Sequence, residues 1–381
     1  MSDRALSNPN LISKNAALEK LAAELLQERV VAIDTESNSL YAYKEQVCLI
    51  QFSTRTADFL VDPLPFENLA PLQPLFESEH IEKVFHAAEY DLICLKRDFG
   101  FKFSNLFDTM VAAGIMGYPS LGLGSLLMDE FGVKTNKRYQ RANWGERPLP
   151  QNLKHYAQQD THYLIPLRDR LREALKMRNL WKLAREDFDR LCKVKTPKNG
   201  GLAQGEVQKG FWRIHGAYDL DPQNAAVLLE LCRYRDKVAR SENRPIFKVL
   251  SDQTLFAIAQ QTPRDIEAFN EIPGMNERQV RRHGRNLIHT VKKGISRDPL
   301  YPPRRVKPNG QYLNRIEILK RWRKASAGKM GVNPDVVLPR DLLNSVAKKN
   351  PSCKEELAEV FEIVPWRMEH FGDQIIAVLK D

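Results

Sequence analysis

The heptapeptide Val30-Val31-Ala32-Ile33-Asp34-Thr35-Glu36 constrains this chain more than any other stretch. Its apolar residues are rich in β-branching and read as a buried strand, and two carboxylates sit at its C-terminal end. Side chains on a strand alternate between faces, so Asp34 and Glu36 project together and Thr35 faces away. Like charges held side by side on a buried strand are costly, and a divalent metal is the usual way to offset them. The alternative is a strand end running into solvent, where paired acids need no partner. The rest of the chain bears on the choice.

Around this strand the order is mixed α/β. Asn15 to Glu28 has helical apolar spacing, and the strand candidates Glu45 to Ser53 and Thr56 to Asp62 extend the first strand into a meander. A helix within Pro63 to Glu79, a strand at Ile81 to Ala87 and a helix from Tyr90 to Asp98, stopped by Gly100, follow. Asp91 falls at the start of that helix, where the helix dipole alone would favour an acid. Asp108 reads as the cap of a helix over Met110 to Met116, and Gly122 to Phe131 as another helix ended by Gly132.

The segment from Lys134 to Pro150 is basic and aromatic with little apolar periodicity, and is expected as an exposed loop. Lys137, Arg138, Arg141 and Arg147 suit phosphate contacts and Trp144 suits base stacking, although a Trp can equally anchor such a loop on the core. Asn152 to Arg178 is helical, kinked or divided by Pro166. In it Tyr156 and Asp160, four residues apart, share one face at the edge of the buried stripe.

These residues carry a resemblance. Val31-Ala-Ile-Asp34-Thr-Glu36, His86-Ala-Ala-Glu-Tyr-Asp91-Leu and His155-Tyr156-Ala-Gln-Gln-Asp160 resemble, in order, spacing and placement, the three motifs of the DEDDy branch of 3′-to-5′ exonucleases, of the ribonuclease D type. Trp144-Gly-Glu-Arg147-Pro-Leu also fits, except that an Asp commonly precedes that Trp in the family and Asn143 stands here. The resemblance implies a ribonuclease H-like (DnaQ-like) α/β exonuclease domain with a mixed sheet. It also implies a site of Asp34, Glu36, Asp91, Tyr156 and Asp160. In that scheme two ions, Mg²⁺ or Mn²⁺, which prefer hard oxygen ligands, are held by the four acids. Asp34 would bridge both, Glu36 and Asp160 would complete the first, and Asp91 would hold the second largely through water. Tyr156 would orient the attacking water.

Charge is distributed unevenly. Residues 1–190 hold 24 basic against 26 acidic side chains and residues 191–381 hold 34 against 22, so the net +10 belongs to the C-terminal half. That asymmetry points to a polyanionic partner. After a basic, glycine-containing linker at 193–209 comes an all-helical pattern at 210–295, with helices at Ala225 to Ala239, Ser251 to Gln261, Pro263 to Asn270 and Glu277 to Lys293. A Pro-rich linker at 296–311 separates it from a second helical region at 312–381.

The two helical regions read as copies of one unit: Leu228 to Arg235 aligns with Ile316 to Arg323, Leu250 with Leu338, and Ile272 to Met275 with Ile363 to Trp366. Each resembles the helical domain shared by RecQ-type helicases and ribonuclease D (HRDC). The expected organisation is therefore an exonuclease domain at 1–192 followed by two all-α domains.

The five cysteines are odd in number and form no CxxC pair, which argues for reduced thiols over a disulfide framework or zinc site. No apolar run reaches membrane-spanning length and the first residues lack a secretion pattern, so a cytoplasmic location without membrane association is expected. The implied activity is a 3′-to-5′ exoribonuclease trimming single-stranded 3′ ends of structured RNA, tRNA precursors by family analogy, with no obligate protein partner evident. The alternatives are a DNA exonuclease and a non-catalytic RNA-binding protein on the same fold.

Overall fold

A computed structural model describes residues 6, 8–196, 207, 210–304 and 309–380. Most of the expected linker at 193–209, and residues 305–308 of the second, lie outside the described residues. The described residues of 1–37, 47–196 and 307–381 pack as one unit, and those of 38–46 and 197–306 as another.

The first unit is organised by a six-stranded sheet in the order β1-β4-β3-β2-β5-β6. Strand β2 (Val30–Ser37) pairs antiparallel with β3 (Val47–Ser53), which pairs antiparallel with β4 (Asp58–Val61), so the expected meander forms. On its other edge β2 runs parallel to β5 (Glu82–Phe85), and β5 parallel to β6 (Leu106–Asp108). The edge strands β1 (Asn10–Ile12) and β6 have three residues each, too few to show a period, and the sequence did not announce them.

Helices α1 (Asn15–Leu25), α2 (Gln73–Glu77), α3 (Glu89–Phe99), α4 (Thr109–Met116) and α5 (Leu123–Phe131) follow the expected order. The expected Pro166 helix is two, α6 (Gln151–His162) and α7 (Leu164–Met177). They meet at Tyr163, which leaves the proline in the first turn of α7, where its missing N–H costs nothing. A further helix, α8 (Trp181–Cys192), lies beyond the expected helical end at Arg178. Asn179, with φ +56°, turns the chain between α7 and α8.

Two cores hold the sheet. Val31, Ile33, Ile50 and Phe52 belong to the large one, with α1, α3, α4, α7 and α8. Leu49, Leu60, Trp144, Leu149, Leu153 and Ala157 form a smaller one, into which α6 packs.

The helical regions show the expected repetition. In one, α9 (Pro222–Ser241), α10 (Ile246–Val249), α11 (Asp252–Gln261) and α12 (Glu277–Ile295) enclose a core of their own. Pro263 to Asn270, expected as a helix, holds only part of a 3₁₀ segment, Glu267–Glu271. In the other, α13 (Gly310–Met330), α14 (Pro334–Val337), α15 (Arg340–Lys349), α16 (Lys354–Val360) and α17 (Pro365–Lys380) do the same. The aligned arginines are used alike. Arg235 donates to Leu250 O (3.0 Å) and Asp252 (2.7 Å), and Arg323 donates to Leu338 O (2.9 Å) and Asp335 (2.6 Å).

The second helical region also joins the sheet's unit through Arg367. Fully buried, it pairs with Glu186 (3.1 Å) and Asp187 (2.9 Å) on α8. The five cysteines form no disulfide, and no helix among the described residues is long and apolar enough to cross a membrane.

Candidate active site

Strand β2 ends at the site. Asp34 sits opposite Gln51 and Glu36 opposite Leu49, and cross-strand partners share a face, so both acids project toward the side that α6 covers. Helix α6 brings Asp160 to them. One carboxylate oxygen from each of Asp34, Glu36 and Asp160 can lie within 4.8 Å of the others. A cavity of about 460 Å³ opens here, lined also by Thr35, His86 and Tyr156.

Asp91, in the first turn of α3, stands outside that triplet and the cavity lining, but its charge acts on all three acids. Thr35, on the opposite face of β2 from Asp34, was expected to face away from the site, yet its hydroxyl donates to Asp91 Oδ1. The turn before α3 is set by Asp108. Its carboxylate accepts from Ala87 N (3.2 Å) and Ala88 N (2.7 Å) as well as from Met110 N and Val111 N at the start of α4. Asp108 is thus the expected cap, and it also holds Ala87 at φ +60°, a conformation that a side chain rarely adopts unaided. One acid serves two helix starts.

Helix α6 is clamped from beneath. Asp58 on β4 accepts from Gln158 Nε2 (2.8 Å), pairs with His162 Nδ1 (2.8 Å) and accepts from Ser53 Oγ (2.7 Å), which also meets Thr161 (2.7 Å). Burial pushes the Asp58 carboxyl up, but these hydrogen bonds outweigh it and hold it at about 2. Residues 158, 161 and 162 are therefore locked to the sheet, and Asp160 between them has little freedom.

The electrostatics are one-sided. Burial, followed by the neighbouring carboxylates, raises Asp34 and Glu36 well above the usual range. Burial likewise pushes Asp91 and Asp160 up to about 7. Among the described residues no Lys or Arg lines the cavity, and His86, driven down to about 4 by burial, is neutral. A hard divalent cation fits this all-oxygen, uncompensated set.

Gln51 adds a second sign of a missing partner. Its side chain is fully buried on the face shared with Asp34, and neither Oε1 nor Nε2 has a hydrogen-bond partner. Buried amides are rarely left so. Its place at the register position opposite Asp34 was the available signal, hidden in a run that reads only as a strand.

Tyr156 donates its hydroxyl to Asp160 and packs against Tyr139 and Trp144, with ring centroids 5.9 and 6.1 Å away. Burial and the nearby carboxylates raise its pKa far above neutral, so the phenol stays protonated.

The basic loop divides. Trp144, expected to be able to stack on bases, is 1% exposed in the small core and cannot reach a ligand. Arg147, expected on phosphates, is spent internally: its guanidinium donates to Asp62 (2.6 and 2.8 Å), Cys48 O (2.7 Å) and Trp144 O (2.8 Å). Both strap the loop to the sheet. Arg138 and Arg141 remain exposed, and the Lys137 side chain lies outside the described residues.

The fold and site define a 3′–5′ exonuclease domain followed by helical modules. The 3′-5′ exonuclease family model matches residues 9–176, and the HRDC domain matches twice, at 224–291 and 313–379. The chain is 31% identical to the exosome complex exonuclease RRP6 of Saccharomyces cerevisiae, over 76% of this chain and 41% of that protein. It is 29% identical to ribonuclease D of Pseudomonas paraeruginosa over 97% of both. The crystal structure of the RRP6 catalytic core of Trypanosoma brucei is 31% identical with a TM-score of 0.66, covering 77% of this chain and 82% of that one. The chain belongs to the family of 3′–5′ exonucleases that includes RRP6 and ribonuclease D. It spans less than half the length of the RRP6-type curated relatives it matches.

Proposed function

We propose that this protein is a metal-dependent 3′-to-5′ exoribonuclease that removes nucleoside 5′-monophosphates from single-stranded 3′ ends of structured RNA, tRNA precursors among them, in the cytoplasm. The observation that carries the reading is the half-buried triplet Asp34, Glu36 and Asp160, whose oxygens lie within 4.8 Å of one another with no Lys or Arg among the described residues lining their cavity. Asp34, Glu36, Asp160 and Asp91 would hold two Mg²⁺ or Mn²⁺. Bound there, such ions supply Lewis acidity toward the scissile phosphate and its leaving oxygen, and lower the pKa of the water that attacks.

The chain's own residues do the positioning. Thr35 fixes the carboxylate of Asp91, the Asp58 clamp fixes α6, and the Gln51 amide is placed to steady the carboxylate of Asp34. Tyr156 orients the attacking water with its hydroxyl, since a phenol held protonated is no general base at neutral pH. Arg138 and Arg141 meet the phosphates of the incoming strand. We also assign residues 1–192 to the exonuclease domain and 210–295 and 312–381 to two helical domains, the basic half contributing non-specific affinity for RNA.

A time course on matched single-stranded RNA and DNA oligomers, with Mg²⁺ and with EDTA, tests the reading. Stepwise shortening of RNA from the 3′ end, with monophosphates released only in the presence of metal, is expected. Equal or faster loss of the DNA oligomer would make it a DNA exonuclease, and no shortening of either would leave a binding protein.

A further inference from the structure

A second cavity, larger than that of the carboxylates, lies at the other end of the sheet. It is a groove of about 950 Å³ lined by Arg29 and Val30 at the start of β2, by Glu79 and His80 just before β5, and by Ser104 and Asn105 just before β6. Helices α7 and α8 supply its wall. The carboxylates lie at or beyond the C-terminal ends of these parallel strands and the groove at their N-terminal ends. Val30 and Glu36 are six residues apart on β2, which separates the two sites by about 20 Å at roughly 3.3 Å per residue.

Six cations line this groove: Arg29, Arg55, Arg168, Arg172, Arg185 and Lys193, against three acids, Glu79, Glu82 and Asp189. Part of the charge is settled internally. Arg168 pairs with Glu82 and Asp169, and Arg55 pairs with Asp169 at 2.8 Å. The remainder is not. Arg29, Arg185 and Lys193 form no ion pair among the described residues. Arg172 approaches Glu82 only at 3.9 Å, and its Nε is buried without a hydrogen-bond partner.

Two of these side chains share one aromatic ring. The guanidinium carbons of Arg172 and Arg185 lie 4.9 and 6.0 Å from the centroid of the Trp181 ring. Trp181 is itself seated on Phe107 and Phe188. A guanidinium fixed on an aromatic surface keeps its planar donor fork for an oxyanion and loses little freedom when one binds. The groove is too large for one phosphate and too charged for an apolar ligand.

We infer that this groove is a second RNA-binding site, which takes backbone phosphates of the substrate some 20 Å from the 3′ end being hydrolysed. The identity of the polyanion rests on the exoribonuclease reading above. Backbone phosphates fit because the cations of the groove come from several elements, Arg29 before β2, Arg55 before β4, Arg168 and Arg172 on α7 and Arg185 on α8, whereas a compact anion would use one fork. RNA long enough to reach both ends of the sheet gains from the groove, and a short oligomer lying in the carboxylate cavity does not.

The test is affinity as a function of length and salt, measured in EDTA so that hydrolysis plays no part. Full-length Arg29→Ser/Arg185→Ser/Lys193→Ser removes three cations that hold no ion pair, and Arg172→Gln alone serves should the triple variant lose its circular-dichroism spectrum. For a hairpin with a 3′ tail, the triple variant is expected to bind about tenfold more weakly. Its log K against log salt should be shallower by about 2, at roughly 0.7 per phosphate contact. The ratio of hairpin to trinucleotide affinity should fall by the same factor.

An unchanged hairpin slope overturns the inference. Inorganic phosphate and AMP, titrated by calorimetry, form the second arm. Their binding to the wild type and loss in the variant, with the hairpin slope unchanged, would assign the groove to free phosphate compounds and overturn RNA as its ligand. Failure of the exoribonuclease reading shows separately, as an absence of Mg²⁺-dependent RNA hydrolysis by the wild type.

Discussion

Strand β2 runs from a basic groove to an acidic cavity, and the two ends concentrate like charge in opposite ways. At the C-terminal end, four carboxylates are gathered under helices, and burial is the largest cause of every one of their shifts. At the N-terminal end, the cations are half-buried or exposed for the most part, and some are met by Glu82, Asp169 or the Trp181 ring. Charges in a low-dielectric interior interact strongly and are little screened, whereas wet charges are damped by salt. The acidic end therefore demands a bound cation, and the basic end tolerates being empty. Changes at the first should act on chemistry and at the second on salt-dependent affinity.

The largest effect is expected from Asp34→Asn. Removing the central carboxylate should lower Mg²⁺-dependent hydrolysis by on the order of 10³ or more, as for loss of a group that stabilises the transition state. The metal-free variant should be no less stable than the wild type, because repulsion is relieved. Cleavage assays paired with thermal melts in EDTA read both, and an unchanged rate would remove Asp34 from the metal site.

Tyr156→Phe comes next. It deletes one donor and keeps the ring contacts with Tyr139 and Trp144, so single-turnover cleavage should fall by on the order of 10² while RNA affinity stays near its original value. Full activity would reduce Tyr156 to a packing residue.

Gln51→Met should have a smaller effect. If the amide steadies the site acids, Mn²⁺ affinity read by calorimetry should drop about tenfold, the lower end for a group that orients a metal ligand. Metal-free stability should hold or rise, since an unpaired buried amide is replaced by an apolar chain of similar size. Unchanged metal affinity would show that the acidic end does not use Gln51.

The gentlest contrast is with pH. In the metal-free protein Asp91 and Asp160 sit near 7 against about 3.9 in an unfolded chain. Between those values the folded state holds protons that the unfolded state has released. Their contribution to stability is therefore full below about pH 4 and is lost as pH rises through 7. Melting midpoints from pH 5 to 8 should decline in EDTA, and saturating Mg²⁺ should remove the decline. Parallel curves with and without metal would contradict the placement of the ions among these acids.

Much of the site was legible because its signals are local. The period of two on β2 put Asp34 and Glu36 on one face, and the four-residue step on α6 put Tyr156 with Asp160. The internal repeat was legible to the level of single residues, since Arg235 and Arg323 occupy aligned positions and make matching bonds to Leu250 and Leu338. Trp144 and Arg147 misled because residue type says what a side chain can do and not whether it is free to do it. A loop rich in Arg and Trp reads as a ligand surface until Asp62, 85 residues earlier in the chain, is seen to take the guanidinium.

Taken alone, the sequence determined the order of the elements and which side chains share a face of each, because strand and helix periods are written along the chain. Tertiary structure decided what meets across elements: Thr35 with Asp91, Asp58 beneath α6, Gln51 beside Asp34 without a partner, and the arginines of α7 and α8 gathered at the starts of β2, β5 and β6. Those meetings depend on packing distances between segments far apart in sequence, and no local period encodes such distances.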